Sequence, residues 1–186
     1  MTLGEMKEQV YRLIEELSDN TARRLTDDPD YEKKINTCIN IVSNELARIK
    51  KIPAKLVYNT ETSETGNVYT FPSNMYQIDK ILGCDYRIIG KTITFDEDYK
   101  GDVDIYYYKY PTIIAEDEDD DEYIFEIDQD ALEIMPFGVA GDMLKSDPST
   151  NYGAYYSTRY NELKQMLDSR VTSGTIYIDV SEALDI

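Results

Sequence analysis

The spacing of apolar residues changes twice along this chain, from helical to alternating and back to helical. Near the N-terminus apolar side chains recur every three or four residues, which is the period of one helix face. Between Val68 and Tyr110 they fall in short alternating runs separated by glycine, proline or aspartate, which is typical of antiparallel strands. Helical spacing returns after Asp128. The chain is therefore predicted to be α+β.

Four helices are predicted, two on each side of the strands. The first covers about residues 3–18 and begins with a capping box of Thr2 and Glu5, and the second covers residues 29–51. The third begins at Asp128 and contains a proline that removes a backbone donor, and the fourth continues to about Arg170. The predicted fold is a four-helix bundle formed by N- and C-terminal helix pairs, with a central antiparallel β insertion and an extended C-terminal tail. Its parts are a helical bundle of residues 1–54 and 127–171, a β insertion of residues 55–115, an acidic loop of residues 116–126 and a docking tail of residues 172–186.

Acidic residues dominate the charge of the chain, with a formal net charge of −18. A sequence-independent nucleic-acid binder needs lysine and arginine to displace counterions from phosphates, so this class is disfavoured. Seven consecutive acids, Glu116–Glu122, predict a solvated loop because they would repel one another in a compact element. A calcium site is the alternative, but the run lacks the glycine and the distal glutamate of an EF-hand loop. No apolar run is long enough to span a membrane, and we expect a cytoplasmic protein.

Little in the sequence points to catalysis. Histidine is absent, which removes the commonest general base and the commonest metal ligand. The two cysteines cannot form a tetrathiolate zinc site, and the nine glycines form no phosphate-binding pattern. We expect a non-enzymatic protein with no cofactor and no metal. The alternative from another functional class is an acidic hydrolase or a calcium-binding module, because carboxylates are abundant.

The order of the elements resembles the head-to-tail adaptor, or connector, proteins of tailed bacteriophages. Short segments carry the resemblance, in this order: Thr2–Glu5 at the start of a helix, Ile35–Ile49, the proline turn Phe71–Tyr76, the strand Tyr106–Pro111, Leu132–Ala140, and Asp147–Pro148 before a tyrosine-bearing helix. The acidic run is a departure from the family pattern. The resemblance implies a subunit of a ring, matching a dodecameric portal, that docks on the portal protein, extends the DNA channel and forms a platform for tail proteins.

In that setting DNA passes through the channel without specific binding, because a wall of carboxylates offers phosphates no cations. The protein is then expected in the virion, at the portal vertex, after assembly in the cytoplasm of the bacterial host. Another virion or tail-completion protein remains the alternative.

Residues predicted to dock on the portal or on a neighbouring subunit alternate in the tail: Ile176, Tyr177, Ile178 and Val180. Residues predicted to contact a subunit or the tail lie in the β insertion: Tyr86, Tyr99 and Tyr107. On the last strand Tyr106, Tyr108 and Tyr110 share one face, which predicts either sheet packing or a recognition surface.

Overall fold

The structure, a computed structural model, describes residues 1–15, 26, 28–116, 122–145 and 151–167. Within them the chain forms four helices and two small antiparallel sheets. In chain order the elements are α1 (Leu3–Leu13), α2 (Pro29–Ala47), β1 (Ile52–Asn59), β2 (Val68–Thr70), β3 (Met75–Leu82), β4 (Tyr86–Ile89), β5 (Thr92–Phe95), β6 (Asp102–Lys109), α3 (Gln129–Met143) and α4 (Tyr152–Gln165).

The predicted capping box at the start of α1 is confirmed. The Thr2 hydroxyl accepts a hydrogen bond from the Glu5 N–H at 3.2 Å, and the Glu5 carboxylate accepts one from the Thr2 N–H at 2.9 Å. These two bonds satisfy backbone donors that have no partner inside the helix. At the start of α2 the Asp28 carboxylate accepts from the Asp30 N–H at 2.8 Å, so both N-terminal helices begin at a side-chain cap.

The predicted arrangement of the helices, two pairs around a central β insertion, is wrong. The third helix, α3, packs against α1, α2 and α4, and ten of its fifteen residues are buried. A helix that is apolar on most sides lies inside the core, and here the other helices surround it. Extended segments on either side of the acidic run also enter this core, through Ile114, Tyr123, Phe125 and Ile127. The helices therefore surround α3 and these segments, and they do not form two pairs.

The strands form two three-stranded antiparallel sheets. The first sheet has the order β1-β6-β3, and the second has the order β2-β5-β4. A second core, separate from that of the helices, lies between the sheets and is built on Tyr58, Ile81, Ile93, Phe95, Val103 and Ile105. The strand β1 was not predicted. Pro53 is compatible with it because β1 lies at the edge of its sheet, where one row of N–H groups needs no partner.

Close packing joins α3 to α4 in antiparallel orientation. A Cβ atom built on Gly141 would lie 2.6 Å from the Ser157 hydroxyl oxygen and 3.0 Å from the Ser157 backbone nitrogen. Three residues further along α3, Leu144 meets Gly153, which lies four residues earlier in α4. Glycine thus lets the two backbones approach to a distance that no side chain permits.

We predict that Gly141→Ala lowers the free energy of unfolding by about 1–2 kcal/mol. Overpacking a tight contact costs about 1–3 kcal/mol, and we expect about 2–3 kcal/mol here because the contact includes the Ser157 backbone. The better helix propensity of alanine offsets about 1 kcal/mol of that cost. Urea denaturation measures the change. The double variant Gly141→Ala/Ser157→Ala removes the closest atom, the Ser157 hydroxyl oxygen, but keeps the Ser157 backbone, so it should recover part of the loss relative to Ser157→Ala alone. A stability equal to or above that of the wild type for the single variant would contradict the prediction.

Candidate interaction surfaces

The residues predicted to make contacts occupy different environments. The four tail residues Ile176, Tyr177, Ile178 and Val180 lie outside the described residues. Tyr86 is 45% exposed on β4. Tyr99 and Tyr107 are half-buried against the core between the sheets, and the Tyr99 hydroxyl donates to the Asp102 carbonyl at 2.8 Å. Of the three tyrosines, Tyr86 is therefore the most available to a neighbour.

Tyr86 belongs to an exposed strand edge that is apolar except at Arg87. In β4 all four residues are exposed, with Ile89 at 61%, and the strand pairs with β5 on one side. Among the described residues no strand pairs with its other side, so we name Tyr86–Ile89 the β4 edge. Such an edge is a template for an added strand because its N–H and C=O groups are unpaired. The alternating pattern predicted this strand but not its place at the end of a sheet.

A second surface lies on the first sheet, on the face turned away from the second sheet. Along β6, Val103 and Ile105 are buried in the core between the sheets, so Tyr106 and Tyr108 lie on the opposite face. Cations from the connection between α2 and β1, from β1 and from β3 surround these rings. We name the group the cation–tyrosine surface: Arg48, Lys51, Lys55, Lys80, Tyr106, Tyr108 and Tyr110.

Each ring of this surface carries at least one cation. The Lys55 and Lys80 ammonium groups lie 5.3 Å and 4.8 Å from the centre of the Tyr106 ring. This position follows from the strand register, which sets Lys55 and Lys80 opposite Tyr106 from the two sides of β6. Cation–π attraction at such distances contributes roughly 0.5–1 kcal/mol at an exposed site and holds the charged groups in place.

Cations also lie over the tyrosine rings at the end of the surface that is nearer to the helices. The Lys51 ammonium lies 4.8 Å from the centre of the Tyr108 ring, and the Arg48 guanidinium lies 5.6 Å from that of Tyr110. The Arg48 guanidinium also donates to the Tyr110 hydroxyl at 2.9 Å. Beside them the Tyr76 hydroxyl donates to the Ala47 carbonyl at 2.9 Å, which fixes β3 to the end of α2. Burial raises the pKa of Tyr76, so this hydroxyl remains a donor.

Carboxylates on the same surface balance part of its charge. The Lys55 ammonium lies 2.9 Å from the Asp104 carboxylate, and this hydrogen bond raises the pKa of Lys55. Asp79 accepts a hydrogen bond from the Tyr108 hydroxyl at 2.9 Å. With four cations and these two carboxylates the surface is positive, whereas the chain as a whole has a net charge of −18. Such a surface can bind carboxylates or other anions.

One ion pair joins the end of β6 to the segment before α3, and so orients the sheet against the helices. The Glu126 carboxylate accepts hydrogen bonds from the Lys109 ammonium and, at 2.8 Å, from the Thr112 N–H. Burial alone would raise the pKa of Glu126, but these bonds outweigh it and the pKa lies below its ordinary value.

We predict that Glu126→Gln costs about 1 kcal/mol of stability at neutral pH, and that the cost declines in acid. A carboxyl whose pKa is lower in the folded state stabilises the fold above its unfolded pKa of about 4.3, and this contribution is lost as the pH falls through the folded pKa. Urea denaturation of both proteins between about pH 7 and pH 3 measures the difference. The exposed Glu61→Gln is the control. A cost that stays constant in acid would contradict the assignment.

Neither a family model nor a curated protein matches this sequence. Among the described residues, no group of three or more cysteine, aspartate or glutamate side chains is placed to hold a metal ion. No helix in the described ranges has the length and apolar content to cross a membrane.

Three cations of the cation–tyrosine surface are functional candidates that the sequence did not reveal: Arg48, Lys55 and Lys80. Sequence reasoning placed the tyrosines on one face but gave no register for β1 or β3 against β6. Without that register, lysines that are 25 residues apart in the chain could not be assigned to the same ring. The alternation along β6 was the available signal, and it marked the correct face.

Proposed function

We propose that this chain is a structural subunit of the head-to-tail adaptor ring of a tailed bacteriophage. The ring docks on the portal protein, extends the DNA channel and forms a platform for the tail. Support comes first from the order of sequence segments that resembles this family. The observation that carries the proposal is the β4 edge, which is exposed, apolar except at Arg87 and, among the described residues, unpaired on one side.

A ring subunit needs two unlike contact regions, because a head-to-tail interface closes only between complementary parts. The β4 edge supplies one region that can accept a strand. The tail segment Ile176–Val180 supplies the other, since it alternates apolar and polar residues and lacks the length to bury itself alone. Strand addition of this kind gains affinity from backbone hydrogen bonds and specificity from alternate side chains.

The experiment removes residues 172–186 and compares assembly with the portal protein of the same genome. The wild type should form rings with portal that are visible by electron microscopy, whereas the truncated chain should fold as the wild type does but fail to dock. Circular dichroism checks the fold. Ile89→Lys, at the proposed acceptor edge, should weaken ring formation in the same way. The exposed Met166→Lys, after the end of α4, is its control.

Two outcomes would overturn the proposal. Unchanged ring assembly by the truncated chain would remove the role of the tail. In a pull-down, the wild-type chain could also fail to bind portal but bind another virion protein. This result would assign the chain to a different step of virion or tail assembly.

Acidity also has a use in an adaptor ring. Carboxylates along a channel offer no binding sites to phosphates, so DNA slides past them. In the assembled ring we expect the channel wall to carry acidic residues and the cation–tyrosine surface to face away from it. A channel lined with lysine and arginine in an assembled particle would contradict this part of the proposal.

A further inference from the structure

The cation–tyrosine surface carries positive charges that are not balanced by ion pairs. Among the described residues, neither Arg48 nor Lys80 has a carboxylate within ion-pair distance, and both side chains are exposed. Their cationic groups are nevertheless held over tyrosine rings. Groups that are already positioned lose less conformational entropy when they bind an anion. The surface is therefore prepared for a ligand with several carboxylates.

The most concentrated negative charge in the chain is the acidic run Glu116–Glu122. The chain reaches it along α2, since the Asn40 side chain is hydrogen-bonded to both the N–H and the C=O of Ile114, at 2.9 Å and 3.0 Å. One residue later the Asn36 amide donates to the Ala115 carbonyl at 2.8 Å. The acidic run thus begins beside Asn36, near the first half of α2.

This position is distant from the cation–tyrosine surface of the same molecule. Asn36 precedes Arg48 by 12 residues, which is roughly 18 Å along a helix that rises 1.5 Å per residue. The surface also extends beyond Arg48. Lys55 and Lys80 flank Tyr106, which is four residues, or roughly 13 Å of extended strand, from Tyr110, where Arg48 lies.

The acidic run is too short to cross that distance. Five residues separate Glu116 from Glu122, and the chain is fixed again at Tyr123, whose carbonyl accepts from the Leu3 N–H at 3.2 Å. A loop that must go out and return over six peptide steps reaches about 10 Å at most, at about 3.5 Å per residue. The acidic run of a molecule therefore cannot cover the whole of the cation–tyrosine surface of that same molecule.

We propose that the cation–tyrosine surface binds the acidic run Glu116–Glu122 of a second copy of this chain. The two regions lie towards opposite ends of α2, so one copy offers its acidic run while it receives that of the next copy. This head-to-tail relation is the one that closes into rings. The inference rests on the proposed function, in that it names a contact between neighbouring subunits of the adaptor ring.

The net charge of −18 does not prevent this contact. At physiological ionic strength the Debye length is about 8 Å, so acids elsewhere on two approaching copies repel each other weakly. Within the contact, the ammonium and guanidinium groups lie much closer than this to the carboxylates they bind. Charge complementarity across an interface mainly selects the partner and its orientation, which is what a ring contact requires.

A peptide tests the contact without the need for a ring. A fluorescein-labelled peptide of residues 113–124 should bind the full-length chain saturably, as measured by fluorescence anisotropy, and binding should weaken with added salt. The triple variant Arg48→Gln/Lys55→Gln/Lys80→Gln should weaken binding by about tenfold. The matched control Lys33→Gln/Lys91→Gln/Lys100→Gln removes the same charge from exposed sites elsewhere, and it should bind as the wild type does.

Three results would overturn the inference. One is equal binding of a peptide in which residues 116–122 are changed to glutamine and asparagine. Another is an equal loss of binding in both triple variants, since this would make net charge the cause. The third is tighter binding of single-stranded DNA than of the peptide, because the anion recognised would then be phosphate.

Ring assembly separates this inference from the proposed function. If the wild type and the Arg48/Lys55/Lys80 triple variant both form rings with portal and the peptide does not bind, the contact is wrong and the adaptor function stands. If the peptide binds as expected but no ring forms with portal, the contact between copies stands and the adaptor function fails.

Discussion

Replacing Met135 by alanine should lower the free energy of unfolding by about 3–4 kcal/mol. Met135 is 0% exposed in α3, the helix that packs against the other three. Removal of a large buried apolar side chain loses its transfer free energy and leaves a cavity, which together cost about 2–5 kcal/mol. We place this variant in the upper half of the range because the side chain is fully buried and α3 has packed neighbours on several sides, so the cavity cannot easily collapse.

The matched control is Met166→Ala, because Met166 has the same side chain but is 76% exposed after the end of α4. It should change the free energy of unfolding by less than about 0.5 kcal/mol. Urea denaturation followed by far-ultraviolet circular dichroism measures both. Similar losses for the two variants would mean that α3 is not the centre of the helical core.

The four helices could be predicted from the sequence, but not the way in which they pack. The apolar stripe of α1 indicates which face is buried, and the capping box indicates where the helix begins. Neither indicates the partner of the stripe. The prediction of two helix pairs assumed that helices next to each other in the sequence pack together, whereas α1 and α2 both contact α3.

A further part of the core, next to the acidic run, was not predicted. Residues 116–126 were predicted as an acidic loop, yet Tyr123 and Phe125 are buried among the helices and their rings meet edge to face, with centroids 5.3 Å apart. Two aromatic residues separated by an acidic segment from the last strand carry no periodic signal. Their burial depends on the space between α1 and α3, which only the tertiary fold creates.

The cation–tyrosine surface, likewise, could be predicted from the sequence only in part. Its tyrosines follow from the alternation along β6, but its cations come from three other elements. The pairing of β3 with β6 is irregular, with shifts in register between Met75 and Gln77 and between Ile78 and Lys80. Because a shift of one residue moves a side chain to the opposite face, no sequence rule could have set Lys80 over Tyr106.

In both proposals the receiving surface lies in the β region. The β4 edge belongs to the second sheet, and the cation–tyrosine surface covers the outer face of the first sheet, so the core between the sheets separates them. One can accept a strand and the other can accept carboxylates. Since the two contacts differ in chemistry and position, variants at one should leave the other unaffected, and double variants should have additive effects.

An ion pair from Lys50, which lies between α2 and β1, joins the start of the β region to α3. The Lys50 side chain is only 9% exposed, and its ammonium lies 2.5 Å from the Asp130 carboxylate in the first turn of α3. Asp130→Ala should lower the free energy of unfolding by about 2–3 kcal/mol. A buried ammonium that loses its counter-charge costs about 3–5 kcal/mol, and we reduce the estimate because half of the Asp130 side chain is exposed to water.

Removing the other partner should cost far less. Lys50→Met keeps most of the apolar stem and removes the charge, and Asp130 can then be hydrated, so we expect a loss below about 1 kcal/mol. The double variant Lys50→Met/Asp130→Ala should be more stable than Asp130→Ala alone, because no buried charge remains without a partner. Urea denaturation of the four proteins completes the cycle. If Lys50→Met costs as much as Asp130→Ala, the attraction between the two charges accounts for both losses of stability. Desolvation of an unpaired Lys50 would then not be the cause of the loss in Asp130→Ala.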